Sequence, residues 1–234
     1  MQANRRKDAG ELGMKKEVKV PVFVALCVAS FAIYLAGCQS VYYGTMEKLG
    51  YQKREILVDR VEDARNAQEE AKNQFRSALE KFSAVVNFRG GELEERYNTL
   101  DSEYQHCESK AKAVHNRIAD VEDVSKALFE EWQAELKQYT NQDLMRASER
   151  KLSDTRRRYQ QLIQAMKRAE KKIDPVLSAF RDQVLFLKHN LNAQAVASLQ
   201  KELSTIEVDV TTLIKDMEAS IAEADRFIKT MIRE

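Results

Sequence analysis

Leu93-Glu94-Glu95-Arg96-Tyr97-Asn98-Thr99-Leu100-Asp101-Ser102-Glu103-Tyr104-Gln105-His106-Cys107 opens a run in which apolar residues return alternately after three and four positions. The series continues through Ala111, Val114, Ile118, Val121, Ser125, Leu128, Trp132, Glu135 and Tyr139. A helix turns once every 3.6 residues, so this spacing draws one greasy stripe along one face. A stripe sustained over so many turns needs other helices to cover it. The fold class read from it is all-α.

Outward from this run the same period recurs. Upstream lie Val61, Ala64, Gln68, Ala71, Phe75, Ala78, Phe82 and Val85, with Leu79 and Val86 widening the stripe. Downstream lie Thr155, Tyr159, Leu162, Met166, Ala169, Ile173, Val176 and Phe180, then Leu199, Leu203, Ile206, Val210, Leu213, Met217, Ile221, Ala224, Phe227 or Ile228, and Met231. From Glu92 to Glu234 there is no glycine and only Pro175, in a composition rich in Ala, Glu, Lys, Leu, Gln and Arg, which marks long helices with coiled-coil character. Breakers at Gly44, Gly50, Arg89-Gly90-Gly91, Thr140-Asn141 and Asn190-Leu191-Asn192 divide the chain into helices of about 51 to 88, 92 to 139, 142 to 189 and 193 to 232. Short breaks make successive helices antiparallel. The expected architecture is an elongated antiparallel four-helix bundle, or coiled coil, on the order of 60 to 70 Å long at 1.5 Å per residue. The stripe passes Pro175 in phase, which predicts a kink or a tightly capped restart with Asp174 as N-cap.

Charge supports the same topology. Asp120, Glu122, Asp123, Glu130, Glu131 and Glu135 crowd the end of the second helix, and Arg146, Arg150, Lys151, Arg156, Arg157 and Arg158 the start of the third. Folded back at Thr140-Asn141, the two blocks oppose each other. Each exposed pair contributes only about 0 to 1 kcal/mol, but opposed blocks select direction and register.

The first 50 residues carry a different message. Lys15, Lys16 and Lys19 precede an apolar stretch from Val20 to Leu35, then Ala36-Gly37-Cys38. The stretch is shorter than the roughly 20 apolar residues of a comfortable span, and Pro21 disfavours a stable helix near its start. The order of basic, apolar and small residues before a cysteine resembles a bacterial lipobox. That resemblance implies cleavage between Gly37 and Cys38 and acylation of Cys38, with palmitate as the typical chain. Two or three acyl chains anchor stably, since each buried methylene contributes about 0.8 kcal/mol. Gln39 and Ser40 lack the aspartate that retains many such lipoproteins in the inner membrane, which implies the periplasmic face of the outer membrane. The domain plan is then a signal peptide over 1–37, a lipidated tether over 38–50 and a helical bundle over 51–234.

Once the leader, with its six basic and three acidic residues, is removed, the remainder is slightly acidic, which gives no nucleic-acid footprint. Of the three cysteines, Cys27 lies in the leader and Cys38 is the acylation point, so Cys107 has no intrachain partner.

Catalytic patterns fail on geometry. A di-iron bundle site needs two Glu-x-x-His pairs and two further carboxylates aimed inward. Only Glu103-Tyr104-Gln105-His106 qualifies, and Tyr104 and Cys107 hold the core positions there. His106 and Cys107 are adjacent, hence about 100° apart around the helix, too far to share a substrate atom. His115 and His189 have no partner at ligand spacing, and Tyr97, Tyr104, Trp132, Tyr139 and Tyr159 read as packing. No phosphate-binding glycine loop, Gly-x-Ser-x-Gly, His-Glu-x-x-His or Cys-x-x-Cys occurs. The expectation is no metal, no cofactor and no catalytic site. Arg156, Arg157, Arg158, Lys167, Arg168, Lys171 and Lys172 form the one candidate partner-binding cluster, suited to lipid phosphates or an acidic partner unless acidic neighbours neutralise it.

Tyr42-Tyr43-Gly44, Glu47-Lys48-Leu49-Gly50, the run Lys53 to Val61 and the run Asp182 to Ala195 resemble the bacterial proteins grouped as domain of unknown function 2959. The resemblance covers essentially the whole mature chain. It implies a helical envelope lipoprotein with no assigned activity and transfers no catalytic residue.

These readings lead to a non-enzymatic scaffold or adaptor, moored by Cys38 and reaching a nearby envelope protein or peptidoglycan through polar helix faces. A tether of about a dozen residues spans at most roughly 40 Å. The alternative is a carrier that holds a lipid or other apolar ligand inside the bundle, with Ala64, Ala71, Ala78 and Ala111 leaving room for it. Apolar faces also join copies of a chain, so a homo-oligomer stays open. Signal peptides normally begin at their basic residues, which points to Met14 as the translation start. Peptide mapping of the cellular protein is expected to find no peptide from residues 2 to 13.

Overall fold

The computed structural model describes residues 53–87, 93–190 and 193–233. Residues 1–37, the tether 38–50 and Cys38 itself lie outside the described residues. Tyr51 to Glu234 form one compact unit. Its described residues make four helices and no strand: α1 (Lys53–Asn87), α2 (Leu93–Leu136), α3 (Gln142–His189) and α4 (Ala193–Arg233). Each helix packs on its neighbours in sequence, and α1 also packs on α4. The ring therefore closes as an antiparallel four-helix bundle.

The stripes read from the sequence face inward. Val61, Ala64, Phe75 and Phe82 of α1 are buried with Ala111, Val114, Ile118 and Val121 of α2, Leu162, Met166, Ile173 and Phe180 of α3, and Val210, Leu213, Met217 and Phe227 of α4. Burying a side chain of this size stabilises by about 1.5 to 3 kcal/mol. The bundle diagonal is bridged by rings: Phe180 of α3 stacks on Phe75 at 6.4 Å and meets Phe82 edge-on at 6.3 Å. Beside them a gap of only about 10 Å³ remains, lined by Ala78, Phe82, Leu100, Tyr104, Phe180 and Val184. That is room for no more than one water.

Three expectations need correction. The second helix ends at Leu136, not near Tyr139, because the backbone tightens through Lys137 N–H to Ala134 O (3.3 Å) and Gln138 N–H to Glu135 O (2.9 Å). Glu135 and Tyr139 are consequently exposed, and the α2 core stripe stops at Leu128 and Phe129. The third helix is N-capped by Asn141, whose side-chain oxygen accepts from Asp143 N (2.9 Å) and Leu144 N (3.2 Å), and it has no restart capped by Asp174. α3 then runs unbroken through Pro175. Pro175 and Lys171 both face solvent, so water can satisfy the carbonyl that the proline deprives of a partner.

The two charged segments lie against each other, with Trp132 reaching Ser148 and Arg156 reaching Phe129, but several of their charges find partners outside the opposite block. Glu122 pairs with Lys167 at 2.7 Å, Glu131 turns to Lys53 of α1 at 2.8 Å, and Arg157 pairs with Asp154 of its own helix at 2.8 Å. Arg156 instead covers the Phe129 ring, 5.2 Å from its centroid, and reaches the Phe129 carbonyl at 3.4 Å. Cross-helix ion pairs nonetheless stitch every adjacent pair: Lys110–Glu70 between α1 and α2, Arg65–Asp225 between α1 and α4, and Lys172–Asp216 between α3 and α4.

Gln68, Ser125, Thr155 and Ser220 are polar residues buried in the core. Gln68 and Ser220 are fully buried, and neither the Gln68 amide nor the Ser220 hydroxyl has a hydrogen-bond partner among the described residues. An unpaired buried amide costs free energy that an apolar side chain of similar volume does not. Gln68→Leu is expected to raise unfolding stability by about 1 to 3 kcal/mol, measured as a higher denaturant midpoint at unchanged slope.

Candidate functional site

Cys107 is the only cysteine among the described residues, and it is buried and free. Its Sγ lies 3.8 Å from the Gln74 carbonyl across the α1–α2 interface. Burial pushes the thiol from its ordinary 9.0 up to about 12, against the lowering effect of the Gln74 contact. A thiol held protonated is a poor nucleophile. His106, one position earlier, points to solvent. Glu103 faces α1, where Gln74 Nε2 donates to it at 2.7 Å and Lys81 pairs with it at 3.3 Å. The Glu-x-x-His pair therefore diverges, and no cluster of three metal-ligating side chains occurs among the described residues.

His115 is better furnished. Its Nδ1 lies 3.0 Å from Glu170 and its Nε2 3.4 Å from Asp174, one helical turn further along α3. Lys167 ties Glu170 to Glu122, and these contacts raise the Lys167 pKa against the opposing effect of its burial. This is a surface clasp between α2 and α3, with His115 partly exposed.

The aromatic residues divide. Tyr159 is buried against Phe129, edge-on at 5.4 Å, and burial raises its phenol pKa. Trp132 is half-buried and donates Nε1–H to Ser148 Oγ at 2.8 Å. Tyr97 and Tyr104 are half-buried, and Tyr139 lies on the surface.

The basic cluster read from the sequence splits three ways. Arg156 packs on Phe129, while Arg157, Lys167 and Lys172 are held in the ion pairs already given. Arg168 and Lys171 are exposed and have no carboxylate partner among the described residues. Arg158 and Arg168 line an open groove of about 580 Å³ between α3 and α4. Its opposite wall brings Arg226, Glu223 and Thr230, its floor is Ala165, Ala219 and Phe227, and Gln161 and Gln164 complete α3's side. Glu223 pairs with Arg226, one turn away on α4, and Arg168 is the guanidinium of the groove that has no carboxylate partner among the described residues. Arg226 escaped the sequence reading because nothing local marks it. It lies far down the chain from Arg158 and Arg168, and only the antiparallel packing of α3 on α4 unites them.

The family described as Protein of unknown function (DUF2959) matches over residues 42–231. The chain belongs to the DUF2959 family. The match takes in all four helices except the last residues of α4. Among curated proteins, none matches the sequence. No described helix is long and apolar enough to cross a membrane.

The Cys107 environment sets a measurable pH dependence. A thiol whose folded pKa is raised contributes stability that is fully present below the unfolded value and is lost as pH climbs through the folded one. The window here runs from about 9.0 to about 12. The wild-type chain is expected to lose more unfolding free energy across that window than Cys107→Ala does. In native protein Cys107 is expected to stay unmodified by an alkylating reagent that labels it in guanidinium, read by peptide mass.

Proposed function

We propose that this DUF2959 protein is a lipid-anchored component of the bacterial envelope, held by acylated Cys38 at the periplasmic face of the outer membrane. Its bundle serves as a non-enzymatic scaffold or adaptor for a nearby envelope protein or peptidoglycan. The observation that carries this reading is the tight packing at the diagonal ring cluster joined to a charged exterior. At the diagonal ring cluster the packing leaves about 10 Å³, whereas pockets for small molecules run to about 300 to 1,000 Å³. A lipid chain finds no space at that point, which favours a surface role over a carrier role. The chemistry-bearing side chains support the same reading: the Cys107 thiol is buried and protonated, and His106 points away from it.

The mooring follows from Cys38 at the end of the basic, apolar and small-residue order. In cells given labelled palmitate, the wild-type chain is expected to carry label and to sediment with the outer membrane, whereas Cys38→Ala retains its leader and carries none. Label persisting in Cys38→Ala, or wild-type protein free of label in the soluble fraction, would reject the anchoring.

A further inference from the structure

We infer that the α3–α4 groove binds the phosphate of an anionic lipid headgroup, with Arg168 and Arg226 as its principal grips. Three features carry this. The first is charge: the exposed Arg168 has no carboxylate partner among the described residues, and across the groove stands Arg226, whose neighbouring acid is Glu223. Guanidiniums bind phosphate oxygens through paired, charge-assisted hydrogen bonds. The second is the floor. Ala165, Ala219 and Phe227 offer small and apolar surface on which a glycerol unit and the first acyl carbons can rest while Gln161 and Thr230 take its hydroxyls.

The third feature is size. At about 580 Å³ the groove lies within the range of sites for small molecules, whereas a stable protein contact needs roughly 800 Å² of surface on each partner. Along α3 the backbone positions of Arg158 and Arg168 are about 15 Å apart at 1.5 Å per residue. A headgroup phosphate gripped by Arg168 and Arg226 therefore does not need Arg158, in keeping with a lipid of single charge. The inference rests on the groove alone and does not need Cys38 to be acylated.

The test uses the full chain labelled with ¹⁵N-arginine in a non-ionic detergent, titrated with dihexanoyl phosphatidylglycerol. The Nε resonances of Arg168 and Arg226 are expected to shift saturably, and not to shift with dihexanoyl phosphatidylcholine at the same concentration. Each basic residue near a lipid surface is worth about 1 kcal/mol, so the double change R168Q/R226Q should weaken binding about thirtyfold. Both arginines are exposed, so unchanged helicity is expected. Arg168→Lys, which keeps the charge, should recover part of the affinity.

Equal shifts with phosphatidylcholine, or an affinity indifferent to R168Q/R226Q, would overturn the assignment. Shifts with inorganic phosphate at the same concentration would reassign the groove to free phosphate, and tighter binding of an oligoglutamate peptide would reassign it to an acidic protein. Repeating the titration on Cys38→Ala keeps this outcome separate from the anchoring, because the groove should respond there unchanged.

Discussion

The contact between Phe180 of α3 and the rings of Phe75 and Phe82 of α1 spans the bundle diagonal, and the rest of the fold is arranged around it. Helices adjacent in a ring touch through their flanks, but only side chains aimed at the axis hold diagonal partners in register. Aromatic residues reach far enough to do so, and such pairs add about 0.5 to 1.5 kcal/mol beyond the area they bury. α2 and α4 fill the two remaining grooves, each packing on both α1 and α3. The ion pairs on the outside then refine direction and register and contribute little to stability.

The same core contains its own compromise. Gln68 stands where the heptad calls for an apolar residue, and Ser220 is buried without a partner as well. A bundle selected only for stability would not keep an unpaired amide inside. A polar core position restricts the registers a helical assembly can adopt, at a cost in stability. The exterior shows the complementary economy. Within the third helix's basic cluster Arg157, Lys167 and Lys172 are held in ion pairs and Arg156 lies on an aromatic ring, while the exposed Arg168 lines the groove to which α4 contributes Arg226.

Much of this was legible in the chain. The period of three and four gave the inward faces, including the polar Gln68 and the small Cys107, because a helix projects side chains at a fixed angle whatever surrounds it. The end of the second helix was misread because Glu135 and Tyr139 keep the phase after the backbone has already turned; periodicity reports angle, not hydrogen bonding. The stripe passes Pro175 in phase, but whether the helix restarts there depends on whether the freed carbonyl meets water, which spacing does not report. Charge blocks proved a rough guide to register, since Arg156 found an aromatic face and Glu131 a lysine on another helix.

By itself the sequence determined the helices, the face each one buries, the family and the lipobox-like order that ends at Cys38. These are local properties, written in spacing and in residue order. Only the tertiary structure decided which stripe meets which, where the diagonal rings lock, and that Arg226 stands across a groove from Arg158 and Arg168. The physical reason is that an amphipathic helix states how much surface must be hidden but not behind what; that choice belongs to the assembled bundle, where shape, register and charge are satisfied together.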